Sequence, residues 1–151
     1  MAYETTEVPV SRSQEAIRKL IMSHGGFGLA IVSDRDPALD AAQEGFQAKV
    51  MIDAKPYTVR IMARLKGSQK RLTDRQREDF REREERRIWR VLFYHMKSVF
   101  EAADSGVMEL RELMLPYIMF GNQTIAEHVL PRIDAAIANP ARLLNAQASE
   151  A

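Results

Sequence analysis

From Phe46 to Arg64 apolar side chains recur at every second position on both sides of a short interruption, "AKP". A period of two marks a strand that buries one face. The pattern predicts a hairpin of "FQAKVMID" and "YTVRIMAR", with Phe46, Ala48, Val50 and Ile52 on the same side as Tyr57, Val59, Ile61 and Ala63. Just upstream, "FGLAIVSD" reads as a short buried strand and the polar "DRDPALDAAQEG" as a loop. Ahead of both, Ala16, Ile17, Leu20 and Ile21 follow helical spacing. Ser11 or Ser13 caps this helix, and "HGG" at 24–26 stops it.

Beyond the hairpin the period lengthens. Thr73 or Asp74 caps a long helix reaching about Asp104, where Ser105 and Gly106 end it. Its first half is almost wholly charged, with Glu78–Arg81, Asp79–Arg83, Glu82–Arg86 and Glu84–Arg87 at helical spacing. Its second half sets Ile88, Val91, Leu92, His95 and Val99 beside a stripe of Trp89, Phe93, Met96, Phe100 and Ala103, and is expected to be core. A third helix is predicted over about 108–119, then a turn at "FGNQ". Thr124 and Glu127 form a capping box that opens a fourth helix, which Pro131 kinks or ends. The fold class is α+β: an N-terminal helix, a three-stranded antiparallel sheet, then one long helix and two shorter C-terminal helices. Residues 11–138 form a single domain on this reading, with 1–10 and 139–151 as flexible ends.

Composition narrows the chemistry. The chain has 151 residues, 46% of them apolar, enough for a packed core. With no cysteine there is no disulfide, thiol nucleophile or Cys-based zinc site. No apolar run approaches 18 residues and the N-terminus lacks a hydrophobic leader, so the expectation is a cytoplasmic protein that spans no membrane. The net charge of +1 hides a segregation: residues 60–98 hold 13 Lys/Arg against 6 Asp/Glu.

Two groups of cations are therefore candidates for holding phosphates. One is a loop and helix arm of Lys66, Lys70, Arg71, Arg75, Arg77 and Arg81. The other is the polar side of the hairpin, with Lys49, Arg60 and Arg64 beside Met51 and Met62. Catalytic patterns are missing. His24, His95 and His128 have no metal-binding spacing, and "SHGGFG" runs from helix to strand, the reverse of a phosphate loop. Nothing calls for a cofactor or a metal, and an enzyme is not expected.

Residues 86–133 resemble the C-terminal half of a family of small phage and prophage proteins of no assigned activity. The likeness rests on Arg86 or Arg87 with Trp89 and Arg90, Lys97 with Glu101, Ser105–Gly106, Tyr117–Ile118, and then Gly121, Thr124, Glu127 and Pro131. "FGN" replaces the family's more usual turn. The resemblance implies a phage or prophage origin and residence in a bacterial host. Helix, three antiparallel strands and helix is also the order of double-stranded RNA-binding domains and of the cores of annealing proteins, an analogy of fold alone. The functional expectation is a non-enzymatic accessory protein that binds DNA or RNA. The alternative is a protein-interaction module, a host-directed inhibitor or phage assembly factor, that uses the charged helix or the apolar segment 113–120. The sequence leaves the oligomeric state open.

Overall fold

Strand β2 (Ala41–Ile52) lies between β1 (Phe27–Asp36) and β3 (Lys55–Leu65), antiparallel to both. The computed structural model describes residues 6–36, 41–67, 71–139 and 141. Phe46 opposes Ile61 and Ala48 opposes Val59, so the alternating apolar positions share one face as the spacing predicts. Three details differ from the sequence reading: first, β1 is a ten-residue edge strand with no buried residue among those described, not a short buried one. Ala41–Gly45 belongs to β2 instead of a loop, because β1 and β3 both extend far enough to pair with it. The hairpin turns at Asp53–Ala54, so the turn starts one residue ahead of "AKP" and shares its Ala54. Both turn residues have positive φ, 51° and 62°, as in the mirror-image turns that match strand twist.

Helices α1 (Val10–Ser23) and α2 (Asp74–Asp104) cover the apolar face. Ile17 and Ile21 of α1 join Ile88, Trp89, Leu92, Met96 and Phe100 of α2 over Phe46, Val50 and Val59, all buried. Trp89 is fully enclosed, and its Nε1–H donates to Glu44 Oε1 at 3.0 Å. That bond satisfies the one polar atom of the largest core side chain. Burial lifts the Glu44 carboxyl above its ordinary range; the indole N–H opposes the rise and nearby Glu85 adds to it. Neither Ser11 nor Ser13 caps α1. Pro9 stands at the N-cap, and Ser13 turns inward, fully buried, its Oγ without a hydrogen-bond partner among the described residues. Thr73 and Gln76 close a reciprocal capping box at the start of α2, and Gly106 follows its end with φ 77°. Residues 6–10, expected to be a flexible end, run beside α2, where Arg86 Nε donates to the Thr6 carbonyl at 3.4 Å.

The C-terminal part is more broken than its pattern suggests. Helix α3 (Leu110–Met114) passes into a 3₁₀ turn over Leu115–Tyr117, because Pro116 has no N–H to continue the α-helical ladder. Ile118 then bridges Val59 on the outer side of β3, and the two-residue strands β4 (Met119–Phe120) and β5 (Gln123–Thr124) make a small hairpin. Helix α4 (Ile125–Ala138) opens on the expected Thr124–Glu127 capping box and runs through Pro131 without ending. None of its residues is buried.

Candidate nucleic-acid interface

Of the nine cations singled out from the sequence, the structure scatters the eight it describes. Lys70 lies outside the described residues. Lys49, Arg60 and Arg64 occupy the sheet face opposite α1 and α2, so they look away from the helical arm. Lys49 donates to the Thr58 hydroxyl directly across the strand pair. Arg60 closes on Glu127 Oε1 at 2.7 Å, and Arg81 on Glu85 at 3.0 Å. Arg75 and Arg77, two residues apart, point about 200° apart around the helix. Arg71, Arg75 and Arg77 are exposed and form no ion pair among the described residues, yet Asp74, Glu78, Asp79 and Glu82 stand exposed among them. Of the four helix pairs expected from spacing, only Glu84–Arg87 forms.

A different set of cations is gathered. At 100° per residue, Arg83, Arg86, Arg87, Arg90, Tyr94 and Lys97 fall within roughly 100° of the α2 circumference, and Arg83 to Lys97 spans about 21 Å of helix. Between Arg86 and Phe100 there is no Asp or Glu. Arg90 lies over the rings of Phe93 and Tyr94, at 4.8 and 4.9 Å, and Lys97 sits 5.9 Å from the Tyr94 ring. These contacts orient the cations without neutralising them. Lys66 lines a small recess with Phe80, Arg83, Glu84 and Arg87 at the N-terminal end of the arc. Acids flank the arc at both ends: Glu84 is buried against Arg87 and accepts from the Lys66 backbone N–H, Glu101 meets Lys97 at 3.9 Å, and Asp79 and Glu82 stand exposed at the N-terminal end.

Sequence reasoning missed this arc because it assigned both apolar stripes of α2 to the core. Val91 is exposed, and Phe93 and His95 are half-buried, so the buried stripe is narrower than drawn. The unbroken absence of acids from 86 to 100 is the signal that locates it.

Across the sheet, β1, β3, the 3₁₀ turn and the start of α4 enclose a cleft of about 600 Å³. Arg60 and Arg64 reach it beside Val32, Met62, Asp34 and Glu127. The Arg60 hydrogen bond holds the Glu127 carboxyl below its ordinary range, against a smaller opposing effect of burial and with help from Thr124. Among the described residues no three His, Cys, Asp or Glu side chains could together hold a metal ion. None of the described helices is long and apolar enough to cross a membrane.

Two histidines tie separate elements together. His24 stacks on Phe100 at 4.0 Å, bonds the Leu20 carbonyl through Nδ1 and meets Asp104 at 2.9 Å through Nε2. Burial lowers its basicity, but the Asp104 and Leu20 bonds and the Asp104 charge together raise it above the ordinary 6.5. His95 Nε2 and the Tyr117 hydroxyl share a hydrogen bond of 3.2 Å, and burial pushes His95 below 6.5.

No family model matches the chain, and no curated protein or solved structure is significantly similar to it.

Proposed function

We propose that this chain is a non-enzymatic binding protein that holds nucleic acid by its phosphates along the outer arc of α2. The observation that carries this reading is the acid-free run of Arg83, Arg86, Arg90 and Lys97 on one helix face, interleaved with Tyr94. Cations on a rigid element supply affinity through counterion release, and an exposed ring offers a base a stacking surface. Contacts to phosphate position the chain and carry no base specificity. The likeness of residues 86–133 to phage and prophage proteins supports an accessory role in a bacterial host. Replacing Arg83, Arg90 and Lys97 with Glu removes the mobility shift of a DNA or RNA oligonucleotide on this reading. Arg71, Arg75 and Arg77 replaced with Glu weaken it only modestly. The opposite ranking moves the interface back to the loop and helix arm.

One observation favours a protein partner instead. Leu115 of the 3₁₀ turn, Phe120 of the small hairpin and Leu130, Ile133 and Ile137 of α4 stand exposed, while Met114 of the apolar 113–120 segment is buried. Leu130, Ile133 and Ile137 fall on one face of α4 at helical spacing, and exposed apolar surface of this kind marks interfaces. A nuclease-resistant complex with a defined protein, lost in Leu130→Asp/Ile133→Asp and kept in Arg83→Glu/Arg90→Glu, selects that reading.

A further inference from the structure

On the sheet face turned away from the α2 arc, we propose a site for a small organic anion, a carboxylate or phosphate ester on an apolar body. Arg60 already closes on one acid, Glu127, whose Oε1 also accepts from the backbone N–H and hydroxyl of Thr124. Arg64 lies two turns of the strand pleat further along β3 on the same face, about 13 Å away along the strand. It is exposed and makes no ion pair among the described residues. The two guanidinium groups share a cleft of about 600 Å³, a volume suited to a small ligand, and Val32, Met62 and Pro116 give that cleft apolar surface. Glu127 thus occupies the place of the ligand's acid and is held there by α4, a helix with no buried residue. An anion carried on a hydrocarbon body competes with it, because only that ligand also covers the apolar floor. Asp34 ends the cross-strand row Asp34–Gln43–Arg64, about two strand spacings or 9.5 Å from Arg64. A carboxylate there disfavours a long polyanion, so this site is separate from the phosphate track on α2.

The test is a titration of the labelled full chain, followed through the Met62 methyl and the Arg60 and Arg64 side-chain N–H signals, with hexanoate, hexyl phosphate and inorganic phosphate in separate arms. Saturable shifts are expected with hexanoate or hexyl phosphate, and the tighter of the two identifies the headgroup. Inorganic phosphate binds about tenfold more weakly, for want of a body to cover the floor. Glu127→Gln keeps a side chain able to complete the capping box and tightens hexanoate binding about tenfold, while Arg64→Ala weakens it about tenfold. An unmoved spectrum at millimolar probe, an Arg64→Ala variant that binds as the parent does, or weaker binding in a folded Glu127→Gln variant overturns the proposal.

Discussion

Ser13 carries a hydroxyl that the fold encloses and that has no partner among the described residues, which costs on the order of 1–3 kcal/mol. Ser13→Ala is therefore expected to raise stability by about 1 kcal/mol in denaturant unfolding; a decrease of that size would show that the hydroxyl has a partner after all. Gly45 is the opposite case. A Cβ there would stand 1.9 Å from the Ile61 carbonyl oxygen, inside the β2–β3 ladder. Gly45→Ala should cost about 3 kcal/mol or more, since the strands must part to admit it; near-parent stability would contradict the close approach. Neither position announces itself in the sequence. Ser13 resembles a capping serine, and Gly45 resembles the end of a polar loop. The apolar alternation at Phe46–Ile52 and Val59–Ala63 was legible because burial on one face enforces a period of two.

Between elements, the ties are few and chemically specific. His24 joins the end of α1 to the end of α2 through Asp104, and its basicity is raised. Its contribution is present in full below pH 6.5, the unfolded value, and is lost as pH rises through the higher folded value. His95 works in the other direction. Burial lowers it, so its contribution is present above 6.5 and is lost as pH falls through 6.5 toward the folded value. Asp104→Asn should lower stability below pH 6.5, where the charged pair is present, and so flatten the decline above it, as read from urea midpoints across pH; an unaltered alkaline decline would remove the ion pair from the explanation. These pairings join residues 80 and 22 positions apart, beyond the reach of local pattern. Caps are different: Thr73 with Gln76 and Thr124 with Glu127 are local, and both box ends were visible as helix starts.

Across the molecule, the sheet separates two chemistries that the sequence had merged. Summed charge pointed correctly to residues 60–98 as the basic region, but composition carries no direction around a helix or through a sheet. Folding sends Arg60 and Arg64 to one face with Glu127, and leaves Arg83, Arg86, Arg90 and Lys97 on the far side, along the outer surface of α2. The order of elements was legible because each is bounded by a strong local signal. The candidate interface was legible only in its sign, since choosing among thirteen cations requires knowing which acids each one meets. The most direct measurement is the dependence of nucleic-acid affinity on salt, as log K against log salt concentration, for the parent chain and for Arg83→Glu/Arg90→Glu/Lys97→Glu. A steep slope that becomes shallower by about two to three in the variant is the predicted result, near 0.9 for each phosphate left unneutralised on duplex DNA. Identical slopes for the two proteins, or a parent affinity indifferent to salt, would contradict binding along this arc.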